Sequence, residues 1–186
     1  MFYINQRFII EESIKKSRFI GVIMPCADET QVLIALKKLH EHYPDATHIA
    51  YAYRLKTDNG IIYRFHDAGE PTGTAGKPIF QHLDGKDLIN VLVAVIRYFG
   101  GIKLGAGGLT RAYSQTAKLA IEAAEILPYI EQATLTLTLN YKQLQSLEYW
   151  LKKLDGQIIN QEFAGQVLIT VRLPVAHVEA LRQSLA

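Results

Sequence analysis

One cysteine in 186 residues leaves no partner for an intrachain disulfide and no material for a cysteine-based zinc site. That residue, Cys26, has no activating pattern beside it and reads as a small buried hydrophobe in a reducing compartment. Long apolar runs are missing too. Nothing approaches the ~20 residues of a membrane helix, and the N-terminal MFYINQRFIIEESIKKSRF is broken by charge before a signal-peptide core develops. A cytoplasmic location without membrane contact is therefore expected. Net charge is small, at +2, so affinity for a polyanion can rest only on local clustering. Histidines number six. His40 and His42 stand two apart on a predicted helix and face different directions, and no pair has ligand spacing, so neither a metal nor another cofactor is expected. What the chain does have is 49% hydrophobic and 20% charged residues, the balance of a folded protein with a real core.

The most telling absence is local. From Arg97 to Ile121 there is no Asp or Glu, while Arg97, Lys103, Arg111 and Lys118 are all cationic. An apolar strand pattern (Val91, Leu92, Val93, Val95, Ile96) leads into Gly100, Gly101, Gly105, Gly107 and Gly108. A helix follows, with Leu109, Ala112, Tyr113, Thr116, Ala117, Ala120, Ile121 and Ala124 on one face of a 3.6-residue period. The glycines permit positive φ and close approach of a ligand. A helix N-terminus offers unpaired N–H groups and the positive end of the dipole, both favourable to an anion. Arg111 is expected in the first turn, where a cation is disfavoured unless something negative sits nearby. Two readings fit the run: a phosphate- or nucleic-acid-binding edge, or a packed strand-to-helix joint carrying solvated arginines. It is neither a Rossmann nor a Walker loop, since Thr110 stands where G-x-G-x-x-G needs its last glycine.

A second glycine-rich loop spans His66 to Pro78 and concentrates Asp67, Glu70, Thr72, Thr74 and Lys77. One reading makes the carboxylates acid–base groups or metal ligands and Lys77 a phosphate contact. The other is local: Asp67 closes a turn, Glu70 pairs with Lys77 or an arginine, and Thr72 or Thr74 caps a short helix at Ile79, Phe80 and Leu83. Tyr51, Tyr53, Tyr63, Tyr98 and Phe99 lie on strands bordering the basic run, placed either to stack bases or to fill a core.

Elsewhere the patterns predict two strands joined between Glu11 and Ser17, then a helix capped by Asp28 or Thr30 with Val32, Ala35, Leu36 and Leu39 inward. A hairpin turns at Asp58-Asn59-Gly60. Leu127-Pro128 marks the expected break between domains at 1–128 and 129–186. Beyond it Thr134–Leu139 alternates strictly, Leu144, Leu147, Leu151 and Leu154 mark a helix ending at Gly156, and a hairpin around Gly165 precedes a last helix. This β-α-β-β-α order is a ferredoxin-like unit without its final strand.

Three blocks then take on weight together: Lys16-Ser17-Arg18-Phe19, the Asp67–Pro78 loop, and Val95–Gly105 with Gly107-Gly108-Leu109 and Ala112-Tyr113. In order and spacing they resemble the IMPACT/YigZ family across most of residues 15 to 113. The resemblance implies an α+β protein of two domains. Its first would be a mixed-sheet α/β sandwich similar to a domain of a ribosomal small-subunit protein and of elongation factor G; its second would be the small ferredoxin-like domain of bacterial members. It also implies a link to translation, although eukaryotic relatives act on a starvation-response kinase pathway through an extra partner-binding domain that nothing here matches. The family supplies no agreed catalytic residues.

The leading expectation is a translation-associated protein that binds RNA or the ribosome through a basic, glycine-rich face built from Arg18, Lys77, Arg97, Lys103, Gly105, Gly107, Gly108 and Arg111. A hydrolase or transferase of phosphorylated small molecules, using Asp67, Glu70 and Lys77, is the second. A regulator that binds a protein partner without chemistry is the third.

Overall fold

In the computed structural model, which describes residues 1–186, contacts divide the chain into the units Met1–Tyr129 and Ile130–Ala186. The first unit begins with a two-residue strand, β1 (Phe2–Tyr3), followed by β2 (Phe8–Ile14), β3 (Ser17–Pro25), α1 (Glu29–His42), β4 (His48–Thr57) and β5 (Gly60–His66). Then come α2 (Gly76–Gly85), β6 (Val91–Tyr98), α3 (Gly105–Ala123) and β7 (Leu127–Pro128). Five strands form one sheet in the order β2-β3-β6-β4-β5, and each neighbouring pair in it runs antiparallel.

Strand β6 lies at the centre of this sheet, and its sequence shows why. Val91, Val93 and Val95 enter one core with Ile79 and Leu83 of α2 and Ala112, Tyr113, Ala117 and Ala120 of α3. Leu92, Ala94 and Ile96 enter another with Val32, Leu36 and Leu39 of α1. A strand covered on both faces reads as an unbroken apolar run. Helix α1 starts where expected: the Asp28 carboxylate accepts the Gln31 N–H at 2.8 Å. Cys26 belongs to the α1 core, where burial pushes its thiol up to about 11, so it packs as an unreactive hydrophobe.

Two basic residues make a turn that the sequence pattern does not announce. Lys15 and Lys16 link β2 to β3 with φ of 45° and 68°, the twist a two-residue hairpin needs although glycine or asparagine usually supplies it. A Cβ on Gly100 would stand 2.0 Å from the Lys16 carbonyl oxygen. Only glycine there lets the lysine turn lie against the loop that leads into α3. At the other end of the sheet the buried Arg54 guanidinium donates to the carbonyls of Leu83 (3.3 Å) and Leu88 (2.8 Å), tying the end of α2 to the approach of β6.

Leu127-Pro128, expected as the break between domains, forms β7 and pairs with β1. In the second unit β8 (Gln132–Leu139), α4 (Tyr141–Lys153), β9 (Gln157–Phe163), β10 (Val167–Pro174) and α5 (Val178–Leu185) follow in order. The sheet order is β8-β10-β9. Alternate residues Val167, Ile169, Val171 and Leu173 face Leu147, Leu151 and Leu181 of the helices. This is the ferredoxin-like βαββα arrangement, with β10 central and β8 and β9 as its two edge strands. One detail differs from expectation. Asp155, not Gly156, takes the left-handed conformation after α4, with φ of 53°. Gly156 instead serves packing, since a Cβ there would lie 2.6 Å from Leu151 Cδ2. No helix is long and apolar enough to cross a membrane.

Candidate functional site

Both glycine-rich loops deliver the chain to a helix N-terminus, and the two ends are finished differently. At α2 the Asp67 carboxylate accepts three backbone N–H groups, from Gly73 (2.9 Å), Ala75 (3.1 Å) and Gly76 (2.9 Å). Burial pushes this carboxyl up, yet the three amides together outweigh it and hold it below the usual carboxylate range. The threonines expected to cap α2 do not. Thr74 turns its hydroxyl to the Pro71 carbonyl at 2.5 Å, because a carboxylate can take several amides at once where one hydroxyl cannot.

Helix α3 begins at Gly105, four residues before the apolar stripe, so its first turn is Gly105-Ala106-Gly107-Gly108 and Arg111 falls in the second. Of the five glycines, Gly101 and Gly105 take positive φ, at 86° and 72°. The residue ahead of the helix is Leu104, no side chain caps it, and the first turn carries no acid. Cations surround this end. Lys103 is exposed just before it. Arg111 folds back so that a guanidinium nitrogen would lie 3.5 Å from a Cβ at Gly107. Lys15 shares with Arg111, Leu104 and Gly108 a cleft of about 500 Å³ that no carboxylate lines.

On the other side of the same helix end lies a cleft of about 480 Å³ lined by Thr47, His48, Glu70, Arg97, Phe99 and Lys103, among others. Its floor is a buried polar cluster. Arg97 donates to Glu70 Oε1 at 2.6 Å and to the Ser17 hydroxyl at 3.4 Å. Its guanidinium carbon sits 5.7 Å from the Phe19 ring centroid and 5.5 Å from that of Phe99. Tyr113 donates to the same Glu70 oxygen at 2.7 Å. Burial and the Glu70 carboxylate push this phenol well above its ordinary pKa, fixing it as a donor. His48 donates from Nδ1 to the Ala68 carbonyl at 2.7 Å and brings Nε2 within 3.5 Å of Glu70.

The expected site residues therefore separate. Lys103, Gly105, Gly107, Gly108 and Arg111 meet at the α3 end. Arg97, expected there as an open phosphate contact, is only 5% exposed, because it shares a sheet face with Val91, Val93 and Val95 beneath α3 and is neutralised by Glu70. Arg18 pairs across the ladder with Tyr98, one position from Arg97, and so projects from the opposite face of the sheet. There it stacks on Tyr98 and forms an ion pair with Glu11. Lys77 is exposed in the first turn of α2, whose amides Asp67 already holds. Lys118 pairs with Glu122 along the helix at 3.8 Å. Among the aromatics, Tyr51 stacks on Tyr53 and on His66, Tyr63 stacks on Phe80, and Phe99 borders the cleft beside α3. Lys15, His48 and the Tyr113 hydroxyl were not anticipated as parts of the site. The parity that puts Arg97 under α3 was open to reading in the strand, as was the apolar helix face that carries Tyr113.

A model of the Impact N-terminal domain matches residues 15–121, more than half of the chain, and covers every residue of both clefts except Ile14. The chain belongs to the IMPACT family. A second model, a domain of unknown function (DUF1949), matches residues 137–186. IMPACT family member YigZ of Escherichia coli is 35% identical over 95% of this chain and 87% of its own length. An IMPACT family member of Thermus thermophilus is 40% identical over 87% of this chain and 86% of its own length. A crystal structure of a hypothetical protein, 33% identical, superposes with a TM-score of 0.72 over 100% of this chain and 90% of the other. In this IMPACT-family chain, the matched N-terminal region carries the lysine turn, the buried cluster and the open end of α3 together.

Proposed function

We infer that this IMPACT-family protein is associated with translation and binds RNA, alone or within the ribosome, through the face at the N-terminus of α3. The observation that carries the reading is the uncapped, acid-free first turn of α3, flanked by Lys103, Arg111 and Lys15. Orphan amides and the dipole favour a phosphate there, and mobile cations at the rim suit a charged backbone. The carboxylate lining the neighbouring cleft, Glu70, is already paired with Arg97 and leaves that positive end unopposed. The link to translation comes from the family resemblance; the RNA contact comes from the helix end.

The test is a salt titration of RNA affinity by fluorescence anisotropy. Binding should weaken as salt rises, each neutralised phosphate adding roughly 0.7 to the log–log slope for a single strand. Lys103→Ala and Arg111→Ala should each lower the slope by about 0.7 and weaken all sequences alike, with unchanged melting temperature. Salt-insensitive or absent RNA binding by the folded wild type removes this reading.

A further inference from the structure

The cleft beneath Phe99 is deeper than phosphate contact requires. We propose that it seats one unstacked base of a single-stranded RNA whose backbone phosphate lies on the α3 amides, an inference that rests on the RNA-binding reading of that face. Its volume, about 480 Å³, falls within the range of about 300 to 1,000 Å³ found for small-ligand sites.

Phe99 supplies the platform. The ring is 48% exposed although every other aromatic in contact with Arg97 is buried. It is held in place from two directions: its own N–H donates to Thr47 Oγ1 at 3.0 Å, and the Arg97 guanidinium lies 5.5 Å from its centroid. A fixed, half-open aromatic beside a cation is the arrangement on which single-stranded bases stack.

The wall supplies the polar edge. Glu70 has 4% of its side chain exposed, and both of its protein donors, Arg97 and Tyr113, go to Oε1. Oε2 receives none. Oε2 is therefore the carboxylate oxygen left open, and a base edge that donates a hydrogen bond can pair with it. His48, its Nδ1–H committed to Ala68, lines the same wall. A base inside a duplex has its face stacked and its edge paired, so only a splayed base can use both features.

Three measurements on the full chain test this: anisotropy with a labelled RNA 12-mer, the same with a hairpin carrying the same number of phosphates and closed by a non-nucleotide linker so that no base is unpaired, and fluorescence of a 2-aminopurine placed within the 12-mer. The single strand should bind more tightly than the hairpin, and the 2-aminopurine signal should change on binding. Phe99→Ala should weaken the single strand by about 5- to 150-fold, the worth of one stacked base, and abolish the 2-aminopurine change while leaving the salt slope intact. Phe99→Trp should keep both. Equal affinity for strand and hairpin in the wild type overturns the base seat while leaving the phosphate face standing. So does wild-type affinity in Phe99→Ala. Loss of all RNA binding removes the face and the seat together.

Discussion

The N-termini of α2 and α3 start from the same materials. Each follows a glycine-rich loop, each packs against the same face of the five-stranded sheet, and neither has a side chain at its N-cap position that bonds to the helix. At α2 a carboxylate from six to nine residues upstream reaches back and accepts Gly73, Ala75 and Gly76. At α3 no acid arrives, and Lys103, Arg111 and Lys15 stand around the turn. The physical difference is the source of the negative charge. One helix end carries its own anion and is complete as structure; the other presents the same amides and dipole to whatever anion comes from outside.

The sharpest way to test that division is to ask which charges near α3 belong to the fold. Arg97 and Glu70 do, on the present geometry: both are at least 92% buried, paired, and shared with Tyr113 and Ser17. Removing one member strands the other, so Glu70→Gln or Arg97→Met should cost about 3–5 kcal/mol in urea unfolding. Lys103→Ala, at the exposed rim, should stay within about 0.5 kcal/mol. An Arg97→Met protein of wild-type stability that had lost RNA affinity would reverse these roles.

A smaller effect is expected at the closed end. Asp67→Asn keeps the shape but removes the charge from the α2 cap and should cost about 1–2 kcal/mol at neutral pH. Because the folded carboxyl is held below its unfolded value, its contribution is present above the unfolded pKa of about 3.9 and is lost as pH falls through the lower folded value. The stability gap between wild type and Asp67→Asn should therefore be full at pH 6 and close on acidification below about pH 4. A gap constant down to pH 2 would mean that the carboxylate charge contributes nothing to that helix end.

How much of this was readable beforehand depended on whether the signal was local. The stripe from Leu109 to Ile121 specified α3, Asp28 specified the start of α1, and the strict alternation of Thr134–Leu139 specified β8. Each is a short-range pattern with one dominant cause. The Asp67 cap was hidden because it bridges a loop bent by left-handed Ala68, Gly69 and Gly73, a path no spacing rule describes. The Lys15-Lys16 turn was hidden because its residues are atypical for positive φ; the close approach at Gly100 holds it. The basic run looked like one patch because a linear sequence merges the faces of a sheet. Ladder register separates them, setting Phe19 opposite Arg97 and Arg18 opposite Tyr98.

The finest comparison puts a carboxylate at both ends. Ala106 is exposed in the first turn of α3, with no acid beside it. Ala106→Glu supplies the anion that this end lacks and should stabilise the protein by about 0.3–1 kcal/mol at low salt. It should also weaken RNA binding, because the new carboxylate competes with phosphate for the same amides. Lys77 occupies the equivalent turn of α2, where Asp67 is already in place. Lys77→Glu adds a second negative charge to a filled site and should be neutral or slightly destabilising. Both stability effects should fade as salt screens them, which separates them from changes in packing. Thermal unfolding of the two variants at 20 mM and 500 mM salt, beside their RNA affinities, reads out all four quantities (concentrations of about these values bracket Debye lengths of roughly 20 and 4 Å). If Ala106→Glu destabilised the fold, or if Lys77→Glu stabilised it as much, the two helix ends would not differ in the way their hydrogen bonds indicate.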